Sequence, residues 1–264
     1  MNGKLLHLVI GSFLALLLMG GCRSLPPEIT QVNTIDSLLA GVYDGAMTLG
    51  ELKKHGDFGI GTFDRLDGEM MLYQGAVYQI RADGRAITPP DRLTTPFAAV
   101  TRFQPEKSIA LATPNTYAEI CRLIDQAVPN QNIFAAIQIT GAFAAMHTRS
   151  VPAQDKPYRP LAEVTKTQPE FHLKNLSGTI VGFRLPPYVK GINVPGYHLH
   201  FLSADKTCGG HILDFQLNFG IIRLSSVSQF RMLLPDPHGG FADVDLSRDR
   251  ARELQKVESA VHAQ

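Results

Sequence analysis

Short apolar segments separated by tight-turn residues dominate this chain. Between residues 58 and 103, the pairs Asp67-Gly68, Gln74-Gly75 and Asp83-Gly84 each separate one apolar run from the next. Such turns between short apolar runs are typical of an antiparallel meander, in which each strand folds back on the one before. The predicted strands cover residues 58–64, 69–72, 76–80, 97–103, 133–146, 171–183, 197–202, 211–219 and 221–224, and a last apolar run covers 230–234.

Helical patterns are fewer and shorter than the strand patterns. Residues 35–42 place apolar side chains at helical spacing. The stretches Thr48–Glu51 and Thr116–Glu119 each have the pattern of a capping box, in which a hydroxyl and a carboxylate satisfy the free amides at a helix start. The polar residues 247–260 predict a short terminal helix or an extended tail.

The elements together predict an α+β or mixed α/β fold. We expect two β-rich subdomains of mixed or antiparallel sheets, forming partial barrels, with few short helices. The N-terminal subdomain is predicted at residues 35–150, after a lead-in at 23–34. Four prolines among polar residues make 151–170 the best linker candidate, which assigns 171–264 to the C-terminal subdomain.

The first 22 residues have the pattern of an export signal. Lys4 supplies a positive start, residues 5–19 are almost continuously apolar, and Gly20-Gly21-Cys22 follows. This run is too short and wrongly flanked for a permanent membrane-spanning helix. Small residues before a cysteine resemble a bacterial lipoprotein cleavage site, so Cys22 is a candidate for lipid attachment, with plain secretion as the alternative. We therefore expect an exported protein that is secreted, periplasmic or lipid-anchored at the cell envelope.

Composition limits the kinds of partner that the chain can bind. It has 264 residues, 44% of them hydrophobic, and a net charge of +1, so it can form an ample core without a basic groove for nucleic acid. We expect a small substrate that is recognised locally. Apart from Cys22, the cysteines are Cys121 and Cys208, and the sequence leaves open whether they form a disulfide.

The candidate chemistry lies between residues 197 and 211. His198 and His200 are two residues apart, so on a strand both imidazoles point to the same face. His211 follows the Asp205-Lys206 turn, where a returning strand would pair with the first. Three imidazoles with a free fourth position are a common way to hold a catalytic zinc ion, so we predict a Zn²⁺ site.

Several separated blocks of this sequence resemble the α-acetolactate decarboxylases. They are GVYDG at 41–45, TLGELKKHGDFGIGTFDRLDGEM at 48–70, GAFAAMHTRSVP at 141–152, and GTIVGFRLPPYVKGINVPGYHLHFLSADKTCGGHILDF at 178–215. The resemblance extends over roughly residues 33 to 260. It implies an enzyme that decarboxylates 2-acetolactate to acetoin and CO2, with a metal ion acting as a Lewis acid on the ketone and hydroxyl oxygens.

The resemblance also implies a role for individual residues. Glu69, Arg149 and Glu258 fall on the family's catalytic positions, and Arg149 would also bind the substrate carboxylate. Thr62 is a candidate substrate contact. The zinc ligands would be His198, His200 and His211. The family further implies a homodimer.

Two other functions fit the histidine pattern. One is a different metalloenzyme on a β-scaffold, such as a cupin-like oxygenase or a hydrolase, for which Asp205 would be the nearest carboxylate ligand. The other is a non-catalytic zinc-binding lipoprotein, in which the protein would fill every metal position. Among the remaining histidines, His147 is interpreted as structural support near Arg149, and His172 as a surface residue.

Overall fold

The structure is a computed structural model that describes residues 26–258. The predicted signal peptide and the lipid attachment at Cys22 lie outside these residues. None of the helices formed by the described residues is long and apolar enough to cross a membrane.

Most of the regular structure is β-strand. The strands are β1 (Glu28–Val32), β2 (Met47–Thr48), β3 (Phe58–Thr62), β4 (Glu69–Tyr73), β5 (Ala76–Ile80), β6 (Ala86–Ile87), β7 (Thr94–Thr95), β8 (Ala98–Thr101), β9 (Lys107–Leu111), β10 (Asn115–Thr116), β11 (Phe134–Arg149), β12 (Glu170–Leu185), β13 (Gly196–Ser203), β14 (Gly209–Val227) and β15 (Gln229–Leu233).

The helices are short, and two of them begin at the predicted capping boxes. The α-helices are α1 (Ile35–Leu39), α2 (Leu49–His55), α3 (Tyr117–Ala127), α4 (Leu161–Val164) and α5 (Ala251–Glu258), with 3₁₀ turns at Asp64–Leu66, Thr165–Thr167 and Pro187–Val189. In α2 and α3 the threonine side chain accepts from the third helical amide, while the glutamate there accepts from the cap amide. These reciprocal bonds satisfy free amides that would otherwise face solvent at the helix start.

A seven-stranded sheet contains the predicted meander. Its strand order is β15-β1-β8-β3-β4-β5-β6, and its pairings are antiparallel except for the parallel pair β1–β15. The turn at Gly68 has a backbone φ of 88°, which a glycine adopts without steric strain. The predicted strand 76–80 has the observed bounds, and those at 58–64 and 69–72 differ from the observed ones by one or two residues.

A second sheet is built from much longer strands. Its order is β10-β14-β11-β12-β13, with β9 paired to β14. The first residues of β14 also pair with β13, so β14 lies between β13 and β11 at this end of the sheet. The sequence predicted two strands at 211–219 and 221–224, but β14 continues through Gly220 because its partner β11 is equally unbroken.

The two sheets share one hydrophobic core. Phe58, Ile60 and Met71 of the first sheet pack in the same cluster as Val181 and Phe183 of the second. A separate cluster lies at the side of the sheets, where α1, α4 and α5 contribute buried side chains. The bounds of the elements show that the chain is mostly strand with few short helices. The predicted fold class is confirmed.

Three of the predicted stretches contain elements or boundaries that their sequence patterns do not indicate. The lead-in 23–34 contains β1, because EITQV forms ladders with β8 and β15 on its two sides. The linker candidate 151–170 contains α4, whose Leu161 and Val164 are buried. The change from one sheet to the other falls between β8 and β9 instead, because β11 pairs with β12 and β14. Whether the chain folds as the predicted subdomains stays a prediction.

Cys121 and Cys208 are both free thiols in the structure. Burial raises the pKa of the Cys121 thiol to about 12, so it stays protonated at neutral pH. The disulfide that the sequence left open is not formed.

Candidate active site

Strand pairing brings the three predicted zinc-binding histidines together. His198 and His200 lie on β13, and His200 is the cross-strand partner of His211 on β14. His211 in turn pairs with Arg149 at the end of β11. Gly210 allows this close approach, since a Cβ atom there would lie 2.5 Å from the Arg149 carbonyl oxygen.

The histidine triad forms a compact, buried group of nitrogen ligands. Its ring centroids are 5.0 to 5.4 Å apart, and one ligand nitrogen from each ring lies within 4.8 Å of the others. Burial, together with the charge of Arg149, lowers the pKa of His198 to about 3. Burial also holds the pKa values of His200 and His211 well below the usual range. All three rings are therefore neutral at pH 7, as metal ligands must be.

A backbone hydrogen bond fixes the tautomer of His200. Its Nδ1 lies 2.7 Å from the Met70 carbonyl oxygen, which can only accept, so Nδ1 carries the hydrogen. The Nε2 atom is then a free lone pair, and it is buried without a hydrogen-bond partner. Metal-binding histidines are typically oriented by such a bond from the other ring nitrogen.

Two carboxylates approach the triad from other elements. Glu69 Oε2 lies 3.5 Å from His200 Nε2, and Glu258 Oε2 lies 3.5 Å from His211 Nε2. These contacts are not ion pairs, because the rings are neutral. Carboxylate oxygens and a nitrogen lone pair, all of them hydrogen-bond acceptors, thus face one another in a buried space. A divalent cation bound between them would remove the repulsion between these atoms. The donor set therefore fits a metal ion.

Arg149 connects the two carboxylates. Its Nη1 donates to Glu69 Oε1 at 3.4 Å and to Gln168 Oε1 at 3.2 Å, and its Nη2 lies 3.8 Å from Glu258 Oε1. The Nε–H group is buried and has no hydrogen-bond partner. An unused donor on a buried guanidinium is available for an acidic ligand.

A tight hairpin presents Glu69 to the site. Glu69 begins β4 directly after Gly68 and pairs with Thr62 on β3. The Thr62 hydroxyl donates to the Gly68 carbonyl oxygen at 2.7 Å, which braces the turn. Thr62 also lines the cavity, so it remains a candidate substrate contact, but its hydrogen is already committed to the turn.

Glu258 reaches the site from the last helix. Leu254 and Val257 on the same helix are buried against α1 and α4, which orients Glu258 towards Arg149 and His211. Burial raises the pKa of Glu258 and raises that of Glu69 to about 7, while the Arg149 charge opposes both shifts. The site therefore contains two carboxyl groups that bind a proton more readily than ordinary glutamates.

One cavity contacts most of these groups. Its polar lining includes Glu69, Arg149, His198, His211 and Glu258, while the remaining walls are largely apolar. A few convergent polar groups among apolar walls are typical of a site for a small molecule. The sequence-predicted residues thus meet between the two sheets and α5, where all of them except His200 line the cavity.

The family model described as alpha-acetolactate decarboxylase matches residues 29–248. The chain belongs to the alpha-acetolactate decarboxylase family. The family member from Methylococcus capsulatus is 45% identical over 232 residues, which cover 88% of this chain and 89% of the relative. The one from Bacillus subtilis is 40% identical and covers 88% of this chain and 91% of the relative.

Solved structures of the alpha-acetolactate decarboxylase family have the same fold. The crystal structure from Bacillus subtilis superposes with a TM-score of 0.85 at 39% identity, covering 88% of this chain and 100% of the other. A protein of unknown function from Staphylococcus aureus, described as similar to this family, superposes with a TM-score of 0.84 at 30% identity. That match covers 88% of this chain and 100% of the other.

Sequence reasoning missed two contributors to the candidate site of this family member. Gln168 accepts from Arg149, but it lies in the stretch interpreted as a linker and carries no local signal. The Met70 carbonyl is a backbone group, which no side-chain pattern can indicate. The family match ends at residue 248, before α5, so the placement of Glu258 depends on the structure.

Proposed function

We propose that this protein decarboxylates 2-acetolactate (2-hydroxy-2-methyl-3-oxobutanoate) to acetoin and CO2, and that it needs a divalent metal ion, zinc, on the histidine triad. The observation that carries the proposal is a group of three neutral imidazoles, two of which line one cavity together with Arg149 and two buried carboxyl groups. The names of the relatives supply the substrate.

Arg149 is proposed to bind and orient the substrate carboxylate. Its unpartnered Nε–H and its loosely held Nη2 can donate two parallel hydrogen bonds to the carboxylate oxygens. Such a fork fixes the angle of the bond between the carboxylate carbon and C2. That bond breaks as CO2 leaves, and its electron pair moves towards the neighbouring ketone.

His198, His200 and His211 would hold the metal ion. When bound there, a divalent ion supplies Lewis-acid stabilisation of the negative charge that develops on the ketone and hydroxyl oxygens. The neutral state of the three rings suits this chemistry, since neutral ligands leave the ion its full charge.

A carboxyl group is proposed to complete the reaction by protonating the carbon that has lost CO2. Glu69 and Glu258 lie on different elements and both contact Arg149, so either can face that carbon. Protonation from one fixed side gives a single hand of acetoin. The apolar walls exclude water, which would otherwise deliver the proton from either side.

The two competing functions have less support. Asp205, the carboxylate proposed for a cupin-like oxygenase, accepts hydrogen bonds from Ser203 and Thr207 at the turn through its Oδ1 atom, and it is not part of the triad group. A purely metal-binding protein would have no need for a buried arginine with a free donor beside its metal site. Export, lipid attachment at Cys22 and homodimer formation stay predictions.

The test is acetoin formation from acetolactate by purified, zinc-loaded protein. Arg149→Ala should abolish most turnover while keeping the zinc, because the arginine is not a ligand. Arg122→Ala is the matched control, since Arg122 is an exposed arginine on α3. A zinc-loaded protein that forms no acetoin would refute the proposal, and iron content with oxygen-dependent turnover would favour the oxygenase.

A further inference from the structure

A second group of metal-ligating side chains lies at the ends of β11 and β12. His147 and His172 are direct cross-strand partners, and Glu170 is two residues from His172 on the same face of β12. His147 Nε2 lies 2.8 Å from Glu170 Oε2, and the two imidazole rings stack at 4.1 Å. One ligand atom from each of the three residues lies within 4.8 Å of the others.

We propose that His147, Glu170 and His172 form a second binding site for a divalent transition-metal ion of the Zn²⁺ type. Two imidazoles and one carboxylate are ligands that such ions prefer over Mg²⁺ or Ca²⁺, which favour oxygen. The site shares no residue with the histidine triad, and its function does not depend on the decarboxylase activity.

The exposure of the three residues suits a site that is filled from solvent. The side chains of His147 and Glu170 are 22% and 26% exposed, and His172 is exposed. Because the two rings stack at 4.1 Å, a turn of one ring would direct a nitrogen of each to the same ion. His172 can turn, because its exposed ring is not held by the core.

The surrounding residues favour a cation. Asp214 on β14 is the partner of His147 on its other side, which adds a second carboxylate to the same surface. Glu170 is the cross-strand partner of Arg149, yet its carboxylate is directed to His147. Two positive side chains lie two residues from these ligands. Arg149 is engaged inside the active site by Glu69 and Gln168, whereas Lys174 on β12 is exposed to solvent, which screens its charge.

A metal ion at this second site would bridge β11 and β12 beside the active site. His147 is two residues before Arg149, and Glu170 is two residues after Gln168, which accepts from Arg149. An ion held by both strands would restrain the ends of β11 and β12, which position the guanidinium of Arg149. Binding should therefore raise the thermal stability of the native protein.

The experiment counts zinc ions on the full chain. Protein with one equivalent of Zn²⁺ on the triad is titrated with further Zn²⁺ by isothermal calorimetry, and its Tm is measured at each ratio. We expect a second, weaker equivalent and a further rise in Tm. His172→Gln should remove both, and Glu170→Gln should weaken the second equivalent about tenfold or more. His238→Gln, a change at an exposed histidine elsewhere, should change neither.

Three results would overturn the proposal. The wild-type chain could bind a single equivalent, the second equivalent could persist in His172→Gln, or it could disappear equally in His238→Gln. Circular dichroism of each variant shows whether it is folded. His147→Gln provides an independent second variant, because it removes a ligand from β11 instead of β12.

Discussion

The packing of α5 against the rest of the protein holds Glu258 in the cavity, and a substitution in α5 can test this. The helix has eight residues, and only Leu254 and Val257 bury their side chains, with exposures of 7% and 1%. A helix of this length is unstable alone in water, so packing holds it in place. Leu254→Ala removes one of its two apolar contacts.

The size of the effect follows from the area that these side chains bury. Complete burial of a leucine or valine contributes about 1.5–3 kcal/mol, so the two together contribute roughly 3–6 kcal/mol to docking. Truncating a buried leucine to alanine costs about 2–5 kcal/mol. A loss of about 2.8 kcal/mol makes the helix detach about 100-fold more often.

Glu258 leaves the cavity whenever α5 detaches, whereas the triad does not. We therefore expect Leu254→Ala to raise amide hydrogen exchange in residues 251–258 by about 100-fold. Acetoin formation should fall because Glu258 and Val257 no longer close the cavity, and the bound zinc should be retained. Lys256→Ala, a change on the exposed face of the same helix, is the control.

Two outcomes would refute this reasoning. If exchange in α5 is unchanged, the packing of Leu254 does not hold the helix in place. If exchange rises equally throughout the chain, α5 unfolds only together with the whole protein. Either result can be distinguished from simple misfolding by the exchange of β11 and β14.

Three further predictions concern the cavity itself. If Glu69 is the proton donor, Glu69→Gln should lower kcat by about 10²–10⁴-fold and leave the zinc content unchanged. Glu163→Gln, a change at an exposed helix position, is the control and should not change kcat. Thr62→Val should lower the free energy of unfolding, measured in urea, by about 1–3 kcal/mol, because the buried Gly68 carbonyl loses its donor. Thr62→Ser keeps the hydroxyl and should retain most of the wild-type stability. Removing the metal with a chelator should abolish acetoin formation and lower Tm, and added Zn²⁺ should restore both. Full activity in metal-free protein would contradict the proposed metal requirement.

Much of the fold was accessible from local sequence patterns. The Asp-Gly and Gln-Gly turns gave the meander, and the two capping boxes gave the starts of α2 and α3. The spacing of His198 and His200 placed both on one strand face, and the predicted hairpin correctly made His211 their neighbour. These features depend on interactions between residues that are close in sequence.

The features that were missed depend on distant pairing. β1 was hidden in a proline-containing lead-in, and β9 is an edge strand whose side chains are mostly exposed, so neither shows a strong apolar run. The proline-rich composition of 151–170 concealed α4 and Gln168. Glu69, Arg149 and Glu258 were found only through the family resemblance, because each has an ordinary local setting and meets the others through tertiary structure.

The parallel pair β1–β15 has a consequence for how the chain folds. Glu28 pairs with Gln229, so the first sheet lacks an edge strand until almost the entire chain is present. Contacts of such long sequence separation require a large loop to close first, which slows folding. A ribosome-bound or truncated chain that ends before residue 229 therefore leaves β1 with an unpaired edge open to other strands. Completion of this sheet is a late event, because the stability of β1 depends on a segment that is distant from it in sequence.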